Sequence, residues 1–356
     1  MTRSGTTYSN ARQEPVYDHD DSAEDCRQRL SIVIEWANTR LNGVLRFWAL
    51  LDALRVQWQE ILDRVHPETL PAEAARFLES LDECVEVVVV SGEALPNDLE
   101  ARIRACLGES FLVDVSVAEG LEYYPLKNYG ARRASGDLLL FVDSDVLPDA
   151  GWLAHLVGTF GRTDVDAVCG QTYVGPTDLF SRAFAAGWTY VPRRDSNQIH
   201  QPPKIYANTI AFRSKVFPPQ GFPSIGARTR GASSQIRAQL LRQGIPIWEN
   251  ESSAVDHPPP SGFRHLAVRA IAHGRDHYMK HSEDRHLSGL FYSQSVAFQR
   301  LARAGYRLLR YRHRVGLRPW EIPPAMAICT SYYLFFALGG VLTHVSPHAM
   351  GRRFRV

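Results

Sequence analysis

Short, continuous apolar runs alternate with longer amphipathic stretches through the first half of the chain. Residues 30–34 (LSIVI), 85–90 (VEVVVV), 111–117 (FLVDVSV), 138–142 (LLLFV) and 167–173 (AVCGQTY) have the length and branched side chains of strands buried on both faces. Over 40–65, Val44, Phe47, Leu51, Leu54, Trp58, Ile61 and Leu62 recur mostly three or four residues apart, which predicts an amphipathic helix. Trp48 and Trp58 read as core aromatics of that helix. Helices are also predicted over 72–81, 97–107, 127–134 and 151–159, and a further strand over 245–248. Strands alternating with helices about a dozen residues long predict parallel crossover units. The expected fold class is α/β, a Rossmann-like, mostly parallel sheet flanked by helices.

The strand at 138–142 ends in Asp143-Ser144-Asp145, with Pro148 soon after to stop the ladder. Ligands of open α/β sheets sit outside the carboxyl ends of the strands. Two carboxylates there can hold a hard divalent cation while substrate phosphates complete its shell. An acidic turn is the plain alternative, and the flanking sequence decides between them.

Upstream stand Lys127-Asn128-Tyr129-Gly130-Ala131, Ala134 and Gly136, and downstream Ala207-Asn208-Thr209-Ile210-Ala211-Phe212-Arg213 with Val216-Phe217. Asp256-His257-Pro258 then leads through Ser261 to Arg269 and Gly274-Arg275. In that order, the segments resemble the R-N-x-G, A-x-G, N-x-A-F-R-R-x-x-F and H-x-x-P-x-S patterns of family 2 glycosyltransferases, inverting enzymes of GT-A fold. The resemblance implies a nucleotide-sugar donor, most often a UDP-sugar, and Mn²⁺ or Mg²⁺ held by Asp143 and Asp145. His257 is either an ordinary loop residue or a further metal ligand. Glu35 and Asn38, where the family carries P-T-x-N, together with Lys127, Asn128 and Asp143, are the implied nucleotide-sugar contacts. Asn208, Arg228, Arg230, Ser233 and Arg237 fall on the implied acceptor side. The stretch 176–201 lacks periodicity and is expected to be a partly mobile segment over that side, with Trp188 and Tyr190 as acceptor contacts or simple packing.

The chain departs from the family at two places. Ser91-Gly92-Glu93 stands where the family has D-D-G-S. Ala232 and Ser233 occupy the E-D positions that supply the acceptor base, and 197–247 contains no Asp or Glu. A sugar hydroxyl gains a hundred- to ten-thousandfold in rate from a positioned base, roughly. Either Glu249, Glu251 or Asp256 enters the site, or the acceptor is an already anionic lipid phosphate met by Arg228, Arg230 and Arg237, or the protein binds a nucleotide sugar without turning it over.

Apolar residues at 45% against 22% charged define a folded, mainly soluble chain. Five cysteines, none in C-x-x-C spacing, suggest neither a zinc site nor a disulfide framework, and fit a reducing compartment. Residues 1–28 read as a disordered polar arm without a secretory signal, and 29–275 as the GT-A domain. Residues 276–321 are expected to form basic amphipathic helices and 322–356 an apolar, membrane-associated segment with a basic end. From 285 onward there are eleven Arg, no Lys and one acid, Glu321, while 322–350 has no charged side chain of Asp, Glu, Lys or Arg. Such a tail suits an anionic membrane surface, and no nucleic-acid motif accompanies it. The apolar stretch 325–342 lies in the interface, spans, or packs on the catalytic domain. The expectation is a glycosyltransferase of cell-surface polysaccharide synthesis on the cytoplasmic side of the membrane, serving a glycan or polyprenyl-linked acceptor. A nucleotide-sugar-binding scaffold is the alternative.

Overall fold

Every apolar run assigned above to a strand over 30–173 forms one. The computed structural model describes residues 27–188, 190–223, 231–280, 286–347 and 350. Among the described residues the strands are β1 (Gln28–Glu35), β2 (Leu81–Ser91), β3 (Phe111–Val117), β4 (Leu138–Asp143), β5 (Leu147–Pro148), β6 (Ala167–Tyr173), β7 (Ile199–His200), β8 (Thr209–Arg213) and β9 (Trp248–Asp256). The helices are α1 (Thr39–Asn42), α2 (Val44–Leu62), α3 (Ala72–Glu79), α4 (Leu99–Leu107), α5 (Tyr123–Arg133) and α6 (Trp152–Gly158), then α7 (Leu179–Gly187), α8 (Ala232–Arg242), α9 (Gly262–Met279), α10 (His286–Tyr311) and α11 (Ile322–Val345).

The strands form one sheet in the order β3-β2-β1-β4-β8-β6-β9-β5, with β7 also on β9. The first four positions are parallel, as expected. Beyond β4 the sheet is mixed, because β8 runs antiparallel to both β4 and β6. Alternate residues of the parallel strands feed opposite layers, as a period of two requires. Ile32, Ile34, Val87, Val89, Leu140 and Val142 join one core with α2 and α6. Val33, Val88, Val90, Leu139 and Phe141 join the other with α5 and α8. Trp58 is buried in the first layer, its Nε1 donating to the Glu83 carbonyl at 3.2 Å.

Three expectations are corrected. The helix over 40–65 is broken at Gly43, whose φ of 79° is open to glycine and strained for other residues. The strand expected at 245–248 begins instead at Trp248 and continues to Asp256, so Glu249, Glu251 and Asp256 belong to a ladder. The stretch 176–201 is not without regular structure, since it contains α7, started by a capping box between Asp178 and Ser181.

Helix α7 packs with α9, α10 and α11 in a third core that includes Phe184, Trp188, Tyr190, Leu308, Tyr332 and Phe336. The boundary drawn at 275 falls inside α9. Helix α11 is apolar and long enough to cross a membrane, yet its Tyr332, Tyr333 and Phe336 are buried in this layer. Its approach to α9 is backbone to backbone. A Cβ on Gly274 would lie 1.8 Å from the Phe336 carbonyl oxygen, and one on Gly339 2.1 Å from that of Ile271. Leu334, Leu338, Val341 and Val345 form the opposite, exposed stripe.

Gly274→Ala is therefore expected to cost about 1–3 kcal/mol in a urea titration, the usual penalty for overpacking. An unshifted midpoint would mean that α9 and α11 do not touch in this way.

Candidate active site

The chain leaves β1 outward to β2 and β3 and returns to β4 on the other side of β1. That reversal is a topological switch point, where open α/β sheets hold ligands. The parallel register sets Glu35, the last residue of β1, directly beside Asp143, the last of β4. Asp145 follows in the next turn, and all three are buried.

Donors converge on these carboxylates from the elements around them. Helix α5 starts a turn earlier than predicted and so presents Tyr123 and Lys127 on one face. The Tyr123 hydroxyl donates to Asp143 Oδ1 at 2.7 Å, and Lys127 Nζ lies 2.8 Å from the same oxygen, above the Tyr123 ring. The ammonium is fully buried and out of line for a formal hydrogen bond, so its contact with Asp143 is an ion pair. Asn38 Nδ2 reaches Glu35 at 3.0 Å, Asp143 at 3.3 Å and Asp145 at 3.5 Å, while Asn42 Nδ2 donates to Asp145 at 2.5 Å. Burial, then the Asp143 charge, holds the Glu35 carboxyl well above the usual carboxylate range. Burial also raises Asp145, against the pull of Arg269, Asn42 and Arg46.

His257 arrives from β9. Strand β5, just after the acidic turn, pairs Leu147 with Asp256, and Arg46 donates to the backbone carbonyls of both Asp145 and Asp256. Together they bring Asp143, Asp145 and His257 close enough that one donor atom from each lies within 4.8 Å of the others. The His257 Nδ1 faces the Pro258 carbonyl at 2.7 Å, which leaves Nε2 with its lone pair. Burial and the nearby Arg269 lower its pKa to about 3, so the ring is neutral at working pH. Two carboxylates and a neutral imidazole fit a divalent cation. Nearby, Asn208 Nδ2 and Ser144 Oγ are buried without a hydrogen-bond partner, although the Asn208 carbonyl accepts from the Asp143 N–H at 3.3 Å.

Other expected residues lie elsewhere or serve other partners. The Asn128 amide is used at both ends by the Phe222 backbone, at 2.9 and 2.7 Å. Lys127 is not an open cation for a diphosphate; it compensates Asp143 from beneath. Ser233 bonds the Tyr124 hydroxyl at 2.9 Å, and Arg237 is half-buried on α8. Arg228 and Arg230 lie outside the described residues. Glu249 and Glu251 both pair with Arg194 beside His200. They sit on β9, three strands from β4 or roughly 14 Å at the usual spacing. Asp256 is nearer but accepts from Gly175 N–H at 2.6 Å and pairs with Arg46 at 3.2 Å. Tyr123, Asn42, Arg46 and Arg269 were missed as site residues. The Asn38–Asn42 spacing of one helical turn was the available signal.

Residues 74–217 match the family described as glycosyl transferase family 2. That matched stretch contains the acidic turn. No curated protein matches the chain in sequence. Among solved structures, the chain aligns with a mannosyltransferase from Pyrobaculum calidifontis in complex with GDP-Man and Mn²⁺, at 15% identity and a TM-score of 0.49, covering 94% of this chain and 92% of that one. It also aligns with GalNAc-T7 bound to UDP, GalNAc and Mn²⁺, at 14% identity and a TM-score of 0.41, covering 82% of this chain and 55% of that one.

A carboxyl with a raised pKa contributes stability that is full below its unfolded value and is lost as pH rises through its folded value. The metal-free protein should therefore lose thermal stability as pH climbs from the carboxylate range toward neutrality, and Glu35→Gln should flatten the decline. A pH profile indifferent to that substitution would mean that Glu35 ionises freely.

Proposed function

We propose that the protein is an inverting glycosyltransferase that moves a sugar from a nucleotide sugar, most simply a UDP-sugar, to a glycan or lipid-linked acceptor. The observation that carries this reading is the convergence of Asp143, Asp145 and His257 at the carboxyl end of β4, within and just beyond the matched family segment. The imidazole favours Mn²⁺ over Mg²⁺, whose ligands are mostly oxygen. When bound, the cation supplies Lewis-acid stabilisation of the charge that develops on the leaving diphosphate.

The chain's own residues prepare that site. Asp143, Asp145 and His257 hold the ion. Lys127 and Tyr123 fix one Asp143 oxygen. Asn208 Nδ2 and Ser144 Oγ are buried groups ready to meet donor oxygens. Trp188 and Tyr190 contact the His257 ring and keep water from that side. The Arg194 pairs occupy Glu249 and Glu251, and Arg46 and Gly175 occupy Asp256. An acceptor oxygen that is already ionised needs none of them as a base.

The exposed stripe of α11 and the arginine-rich α10 support placement at a membrane surface, and we propose the cytoplasmic side and a role in polysaccharide synthesis. The absence of any Asp or Glu over 197–247 favours a second reading, a nucleotide-sugar-binding scaffold. Slow release of nucleotide from a donor panel in manganese separates the two, since a scaffold releases none.

Asp145→Ala is expected to weaken manganese-dependent nucleotide binding by at least the ~10–100-fold typical of lost supporting groups at metal sites. Unchanged calorimetric affinity would refute the assignment of the cluster.

A further inference from the structure

Trp188 and Tyr190 follow α7 and belong to no helix or strand. Both residues are buried, and a buried carbonyl outside a ladder needs a donor from elsewhere. One guanidinium serves them both. Arg307, on α10, donates from one terminal nitrogen to the Trp188 carbonyl at 2.6 Å and from the other to the Tyr190 carbonyl. Its rigid fork suits two acceptors held side by side. Arg314, just past α10, donates to the Arg193 carbonyl at 2.7 Å. Helix α10 and the turn after it therefore grip this segment twice.

The charge of Arg307 is costly where it sits. Arg46, Arg182, Arg194 and Arg213 each lie on a carboxylate. Among the described residues Arg307 pairs with none, and its Nε is buried without a hydrogen-bond partner. A half-buried guanidinium with no counter-ion gives up hydration for two carbonyl bonds. Stability alone does not account for a cation there, but what the gripped residues touch does. The Tyr190 ring lies 5.2 Å from that of His257, and the Trp188 ring 6.2 Å from it. The Pro258 carbonyl, 2.7 Å from Nδ1, fixes one edge of the imidazole, and the two aromatic rings bound its sides. A metal-ligating imidazole depends on such supports for its orientation.

We propose that Arg307 is a positioning residue for the metal centre. By holding the Trp188 and Tyr190 carbonyls it seats both rings against His257 and keeps Nε2 turned to Asp143 and Asp145. The inference rests on the reading of that cluster as the metal site.

The test titrates Mn²⁺ and Mg²⁺ separately into the full, metal-free chain by calorimetry. Arg307→Gln should bind Mn²⁺ about tenfold more weakly, the low end of the cost of losing a support behind a metal ligand. Mg²⁺, which takes water in place of a nitrogen ligand, should change little. A role confined to the fold would lower both affinities together. His257→Ala should lose at least as much Mn²⁺ affinity, and Arg307→Gln should add nothing to that loss in the double variant, because the two act through one ring. Arg307→Lys keeps the charge without the fork and should fall between wild type and Arg307→Gln; it runs the same cycle if thermal unfolding shows that Arg307→Gln does not fold. Undiminished Mn²⁺ affinity in the folded Arg307 variants, equal losses of both ions, or multiplied losses in the double variant overturn the proposal. Asp145→Ala separates the two readings. If it leaves Mn²⁺ affinity unchanged, the cluster is not the metal site and both fall. If Asp145→Ala and His257→Ala lose affinity while the Arg307 variants do not, only the role of Arg307 falls.

Discussion

The contact on which the site depends is the buried ion pair between Lys127 and Asp143. Three carboxylates crowd the ends of β1 and β4, and the single ammonium in contact with them touches only one. Each buried charge costs several kcal/mol in lost hydration. One pair returns part of that, and the remaining deficit is met by the charges of Arg269 and Arg46 near Asp145, by neutral donors (Asn38, Asn42 and Tyr123) or by a proton. A cluster built this way contributes little to stability. It is short of positive charge by design of the sheet, because the parallel register of β1 and β4 forces Glu35 beside Asp143. A divalent cation relieves that shortage, which is why the ion pair and the metal reading belong together.

That register also marks where the sequence stops being informative. The strands were legible because their apolar runs are continuous, and the acidic turn was legible because it follows one such run and is framed by family-like segments. Nothing in the order of residues says that Glu35 will face Asp143; adjacency comes from strand order. Lys127 reads as a nucleotide-sugar contact from its motif position, whereas the extra turn from Tyr123 folds both side chains under the carboxylates. Asn128 carries a motif position yet serves as a brace for Phe222. Helix α7 escaped a reading by apolar spacing, and the Asp178–Ser181 capping pair was its only local sign.

The C-terminal layer poses a different ambiguity. Composition cannot separate a membrane helix from a core helix, since both are apolar over the same length. The glycine contacts between α9 and α11 resolve it for the inner face, which is part of the folded body. The outer stripe remains apolar without protein cover among the described residues. A helix with one face in a protein core and the other exposed is suited to lying in an interface.

The missing base bears on the chemistry of the acceptor. A sugar hydroxyl attacking an anomeric carbon must shed a proton, and the chain has no acid on α8 to accept it. Its nearest carboxylates on β9 are tied to Arg194 and Arg46. A phosphate oxygen carries its negative charge into the site already, so the task shifts from proton removal to charge pairing. An acceptor that arrives already ionised would be consistent with a helix α8 that carries no acid.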